Sequence, residues 1–131
     1  MELARNLGGN RMRALMGAEF RSGHAPFGYE VCVMGEPFLS GLPTTCESRL
    51  GAPLIPGTPA DFAAAALRGL RRDASEFPLP DGRLRVDRAG HDLMSSSEVA
   101  FEQAARLLRI AFWAGSDAER ALSDAFERLP L

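Results

Sequence analysis

The sequence predicts an α+β fold: a small, mainly antiparallel sheet, helices packed on it, and an antiparallel helical hairpin at the C-terminal end. Two stretches, near residues 30 and 85, alternate apolar and polar residues as strands do. Three later stretches repeat their apolar residues at the spacing of amphipathic helices. The length of 131 residues, with 46% hydrophobic and 24% charged, is typical of a single domain spanning residues 1–131.

The first 22 residues are interpreted as an interrupted helical segment. Gly8 and Gly9 would break the helix, and Asn10 can cap a second piece. The apolar residues of that second piece share one helical face, namely Met12, Leu15, Met16 and Phe20.

The stretch from Phe27 to Met34 is the best strand candidate. Tyr29, Val31 and Val33 share one face, and the opposite face is also partly apolar, which favours a central strand.

Residues 35–57 are predicted to form a long loop, because they hold four prolines and four glycines. Loops longer than about 12–15 residues in a compact domain are often functional or mobile. The sequence leaves open whether this loop is a functional arm or a packed connection held by apolar residues such as Phe38 and Leu42.

A helix is predicted after this loop. Thr58 is suited to its N-cap and Pro59 to its first helical position, and Asp61 can reach back to the cap from the third. Pro80, Asp81 and Gly82 then indicate a turn before a half-exposed strand over residues 83–88.

The C-terminal hairpin is predicted over residues 96–129. Ser95 and Glu98 form a possible capping box for a helix that is apolar around most of its circumference and should be buried on more than one side. Gly115 should end this helix, and Ser116 should cap the last one. Adjacent helical residues point about 100° apart. Of Phe112 and Trp113, one should therefore face the sheet and the other the last helix or a second subunit.

Composition excludes several kinds of chemistry. All fifteen basic residues are arginine, so no lysine can form a Schiff base or bind phosphate in a Walker-type loop. A net charge of −2 gives no strong field for nucleic acid, which is not an expected partner.

The N-terminal residues do not resemble a signal peptide, and no stretch is apolar enough to span a membrane. We therefore expect a cytoplasmic protein with reduced cysteines.

The catalytic residues of an alternative hypothesis are Cys46, His91 and Asp92. A thiol nucleophile needs a histidine base and a group that orients it, and His91-Asp92 could supply both. No histidines and cysteines lie at the close spacings typical of zinc sites, so no metal or other cofactor is expected.

The arginines at 68, 71 and 72 would form a basic ridge on one helix, which Arg83 and Arg85 could extend. Guanidinium groups suit the carboxylates of a protein partner. The leading hypothesis is therefore a non-catalytic protein-interaction protein: a small inhibitor, an immunity protein, an adaptor or an assembly subunit. It binds through this ridge with Phe38 and Leu42, and a homo-oligomer could form through residues 96–129. The alternative is a small enzyme or ligand-binding domain that uses Cys46 with His91 and Asp92.

Overall fold

The fold is a five-stranded sheet with helices against one face, seen in a computed structural model that describes residues 1–7, 10–23, 28–31 and 46–129. The strands and helices, in chain order, are β1 (Glu2–Leu7), β2 (Asn10–Ser22), β3 (Gly28–Val31), β4 (Ile55–Pro56), α1 (Ala60–Arg72), β5 (Gly82–His91), α2 (Glu98–Ala114) and α3 (Ala118–Arg128).

The sheet is mixed, which corrects the prediction of a mainly antiparallel one. Its order is β1-β2-β5-β3, with β4 beside the end of β5. Strand β3 runs parallel to β5, whereas the other pairings are antiparallel. In the part of the chain that the structure describes, β3 pairs with β5 alone. The central position predicted for it is thus taken by β5.

The predicted N-terminal helix is wrong, because residues 2–22 form strands β1 and β2. These strands pair in register from Glu2 opposite Leu15 to Leu7 opposite Asn10. The apolar residues fit two periods at once. Met12, Ala14 and Met16 alternate as in a strand and are all buried. Pairing with β1 and β5 decides in favour of the strand, since tertiary context overrides local preference.

The core lies between the sheet and α2. This helix buries residues around most of its circumference, as predicted, and Phe101, near its N-terminal end, is fully buried. Helix α1 packs mainly against α2, and the two backbones approach closely at Gly69, beside Glu102 and Ala105. On β5, Leu84 and Val86 are buried while Arg83 and Arg85 are exposed, which confirms the predicted alternation of this strand.

The N-caps predicted for α1 and α2 are displaced. Helix α1 begins at Ala60, and Thr58 is buried without forming a cap. The hydroxyl oxygen of Ser97, rather than that of Ser95, accepts a hydrogen bond of 3.1 Å from the backbone N–H of Ala100 at the start of α2.

The C-terminal segment is confirmed in part. Gly115 ends α2 with a positive φ of 57°, as expected for glycine, but a one-turn 3₁₀ helix at Gly115–Asp117 follows where Ser116 was predicted to cap α3. The helices are joined through this turn, and an antiparallel hairpin is not confirmed. Phe112 contacts Phe20 of β2, as the sheet-facing ring of the prediction should. Trp113 contacts Phe77 in the segment after α1 and shares an open hollow with Ala121 of α3, so its predicted place against the last helix is not confirmed.

The second half of the predicted loop packs on the sheet. Cys46 and Leu54 form an antiparallel bridge, and Cys46 lies against Gly90 of β5. Residues 35–45, with Phe38 and Leu42, lie outside the described residues.

Candidate functional site

A buried arginine organises one end of the sheet. Arg13 lies on β2 between two core residues, so its side chain points to the face opposite the helices, where residues 46–54 cover it. Only 3% of Arg13 is exposed. Its guanidinium donates to Asp92 Oδ2 at 3.2 Å, Ser48 Oγ at 2.9 Å and the Ala52 carbonyl at 2.5 Å. One side chain therefore fastens the covering segment and the turn after β5 to the same strand.

The turn at residues 92–97, which joins β5 to α2, is held by a dense set of hydrogen bonds. Asp92 Oδ1 accepts from the Met94 N–H at 2.8 Å. The Ser96 hydroxyl accepts from the Asp92 N–H at 2.8 Å and donates to the Arg13 carbonyl at 2.7 Å. The Ser95 carbonyl accepts from the Arg13 N–H at 3.0 Å. These bonds fix the backbone of the turn to the edge of β2.

Two large apolar side chains stand out from this fixed turn. Leu93 is 81% exposed and Met94 is 92% exposed. Val99, in the first turn of α2, is also exposed. We call Leu93 and Met94 the apolar tip. The hydrogen bonds of the turn fix its backbone, and the fixed backbone keeps the side chains of Leu93 and Met94 exposed to water.

Two carboxylates at this end of the sheet, those of Asp92 in the turn and Glu2 on β1, have lowered pKa values. The Met94 N–H, followed by the Ser95 backbone and the Arg13 charge, lowers the pKa of Asp92 against the opposing effect of burial. Burial raises the pKa of Glu2, but hydrogen bonds from Ser48, Arg49 and Leu50 outweigh it and the net pKa is lowered. Both carboxylates are therefore held ionised at neutral pH.

The three residues of the enzyme hypothesis have other partners. Nδ1 of His91 faces the Gly57 carbonyl at 2.9 Å, and the oxygens of Asp92 bind Arg13 and Met94. Burial raises the pKa of the Cys46 thiol, which favours the unreactive protonated form. These contacts give no support to a thiol nucleophile, and the enzyme hypothesis stays an untested prediction.

No group of three histidine, cysteine or acidic side chains that could hold a metal ion occurs among the described residues. His24 and Cys32 lie outside them.

The three arginines of the predicted ridge lie on α1 and already have partners in other elements. Arg68 pairs with Glu98 at 3.4 Å and Arg72 with Glu102 at 3.0 Å, both across to α2. The Arg71 guanidinium lies 5.6 Å from the centre of the Tyr29 ring. The ridge therefore ties α1 to its neighbours.

Arg83 and Arg85 do not extend this ridge. They alternate with Leu84 and Val86, whose side chains face the core, so they point to the opposite face of the sheet. There Arg83 lies 3.9 Å from Glu30. The five arginines predicted as one binding surface thus form two separate groups, while Phe38 and Leu42 lie outside the described residues.

Sequence reasoning missed the apolar tip and Arg13. The available signal was the pair Leu93-Met94 between Asp92 and three serines, since a short polar turn has no apolar residues of its own to cover them. Arg13 gave no such signal because its role depends on residues 35 to 79 positions away.

Comparison with protein families, with curated proteins and with solved structures finds no match. None of the described helices is long and apolar enough to cross a membrane.

Proposed function

We propose that this chain is a non-catalytic protein-interaction protein, of the inhibitor, immunity, adaptor or assembly-subunit kind, and that the apolar tip is its main contact. The observation that carries this proposal is the exposure of Leu93 and Met94 on a turn whose backbone is hydrogen-bonded at Asp92, Met94, Ser95 and Ser96. Exposure of two such neighbours on a fixed turn is what a protruding anchor requires.

The energetics favour this use. Burying a leucine or methionine side chain contributes about 1.5–3 kcal/mol each, so an apolar pocket on a partner gains from both. Because the backbone of the turn is already ordered, the conformational entropy lost on binding is mainly that of the two side chains. Methionine also adapts its shape to an irregular pocket.

The arginines predicted from the sequence are the weaker candidates for the contact. Arg68 and Arg72 already pair with glutamates, and a partner's carboxylates would have to displace them. Arg83 and Arg85 lie on a different face and would serve a separate contact.

Quantitative affinity capture tests the proposal. The wild-type chain, the Leu93→Ser/Met94→Ser variant and the control Leu50→Ser are immobilised and exposed to extract of the source cells. Leu50 is also exposed but lies in the segment that covers the sheet. We expect a partner that the wild type and the control retain equally and the tip variant loses by at least about tenfold. Equal retention by all three proteins would contradict a role for the tip.

A second copy of the chain is one partner that the proposal includes, since Val99, which lies near the tip within residues 96–129, is exposed too. Native mass spectrometry of the same variants tests this case. A dimer that dissociates in the tip variant identifies the tip as the contact between copies, whereas a dimer unaffected by it places that contact elsewhere.

A further inference from the structure

A second site lies far from the apolar tip, at the other end of α2. A cavity of about 270 Å³ opens between the segment after α1, the last turns of α2 and helix α3. Fourteen residues of helix separate Val99 from Trp113, which corresponds to about 20 Å. The cavity is therefore independent of the contact proposed above. Its apolar lining is formed by Phe77, Ile110, Trp113, Ala121, Ala125 and Leu129.

The aromatic wall of this cavity is held in place. The rings of Phe77 and Trp113 meet edge to face, with their centres 5.1 Å apart. The Arg109 Nε–H donates to the Phe77 carbonyl at 2.9 Å, and Arg106 pairs with Asp73 at 2.8 Å. These bonds fasten the segment after α1 to α2, so the cavity is formed before any ligand enters. Trp113 is 46% exposed and offers part of its ring to the opening.

The rim of the cavity carries an excess of negative charge. Of its three carboxylates and two guanidinium groups, Asp73 and Arg106 neutralise each other. Glu76 and Asp124 then face a single cation, Arg128, and all three are exposed. Within the described ranges neither Glu76 nor Asp124 forms an ion pair. Among the residues that line the cavity, this leaves an excess of one carboxylate; in the adjoining hollow beside Trp113, Asp117 and Arg120 add one charge of each sign.

We propose that this cavity binds a small organic cation: an ammonium group attached to an aromatic or branched aliphatic body. The body would pack against Ile110, Leu129 and the aromatic wall. The ammonium would lie at the rim, attracted by Glu76 and Asp124 and by the face of the Trp113 ring. The volume lies just below the usual range for ligand cavities, which limits the body to about one ring. An anion of the same shape would be repelled.

Fluorescence of Trp113, the single tryptophan of the chain, reports binding directly. The probes are benzylamine, its neutral counterpart benzyl alcohol, and the anion benzoate. We expect a saturable change with benzylamine at a dissociation constant about 5-fold below that of benzyl alcohol, and the weakest binding for benzoate. Absence of saturation with benzylamine, or equal affinities for the amine and the alcohol, would overturn the proposal.

Charge-neutralising variants separate this site from general adsorption. The Glu76→Gln/Asp124→Asn variant keeps the shape of the rim and should lose the preference for benzylamine over benzyl alcohol. Glu119→Gln, on α3 but outside the cavity, should retain it. If both variants lose the preference for benzylamine, the overall charge of the protein causes it. If both retain it, benzylamine binds elsewhere. Either result refutes the site.

Discussion

At the residue scale, Arg13 does what a smaller polar residue could not. Its planar fork reaches three acceptors on two different segments from one buried position. The cost is visible at Nε, which is buried and has no hydrogen-bond partner among the described residues. The gain is that two segments without regular structure of their own are fixed to β2.

Replacing this arginine should therefore destabilise the protein strongly. Arg13→Met removes the charge while keeping most of the volume, and takes one hydrogen-bond donor each from Asp92, Ser48 and the Ala52 carbonyl. We expect a loss of about 2–4 kcal/mol in the free energy of unfolding, measured by urea titration. Arg21→Met, which removes an exposed arginine from the same strand, should change it by less than about 0.5 kcal/mol. Similar losses in the two variants would show that Arg13 is not a fastening residue.

The lowered pKa of Asp92 predicts how stability depends on pH. The carboxylate stabilises the fold while it is ionised, so its contribution is present above the unfolded-state pKa and is lost as pH falls through the lower folded-state value. Asp92→Asn should be less stable than the wild type at neutral pH and should lose less further stability between about pH 5 and pH 2. If the free energy of unfolding changed with pH in the same way for both proteins, ionised Asp92 would not be a source of the pH dependence.

At the element scale, the contact of α1 with α2 depends on Gly69. A methyl group at this position would collide with the Glu102 carbonyl and stand 2.8 Å from Ala105 Cβ. Gly69→Ala should therefore destabilise by about 1–3 kcal/mol, although alanine is the better helix former by about 1 kcal/mol. The control Ala64→Gly, on the exposed side of α1, should cost only about 1 kcal/mol. Stabilisation by Gly69→Ala would show that the helices are not in close contact there.

The start of α2 offers a test between two serines. Because Ser97 provides the cap, Ser97→Ala should cost about 1 kcal/mol of unfolding free energy. Ser95 contributes its backbone carbonyl to Arg13, which Ser95→Ala retains, so this variant should stay within about 0.5 kcal/mol of the wild type. A larger loss of unfolding free energy for Ser95→Ala than for Ser97→Ala, measured by chemical denaturation, would instead support the capping box predicted from the sequence.

Elements with a single clear period could be predicted from the sequence. Strand β5 alternates without ambiguity, and α2 and the end signalled by Gly115 follow from local patterns. Strand β2 could not be predicted because Met12, Met16 and Phe20 fit a helical stripe as well as a strand. Its actual partners, β1 and β5, are known only once the chain is folded. The parallel pairing of β3 with β5 likewise joins segments far apart in the sequence, and the local pattern of neither strand predicts it.

At the scale of the whole molecule, the position of charges depends on which elements meet. The sequence places Arg68, Arg71 and Arg72 on one face of a helix, and they do lie on α1. Only the packing of α2 against that helix brings Glu98 and Glu102 to Arg68 and Arg72. With these charges paired, the two surface features on which the proposals rest are the apolar tip and the acidic rim beside Trp113.

Both features lie on or beside α2, one at each end, and this arrangement organises the proposed functions. The N-terminal end carries a fixed turn with exposed apolar side chains, and the C-terminal end borders a cavity with an aromatic wall. The rest of the chain supplies the packing that holds them about 20 Å apart. The two sites can therefore be tested with separate variants.

The most direct measurement of the central claim is site-specific photocrosslinking from the tip. A benzophenone amino acid replaces Met94 in one protein and Arg120, exposed on α3, in a second, and both are irradiated in source cells. The proposal predicts a discrete crosslinked product from position 94 that is absent from position 120 and disappears when Leu93 is also changed to serine. No discrete product from position 94, or the same product from both positions, would contradict the assignment of the apolar tip as the partner contact.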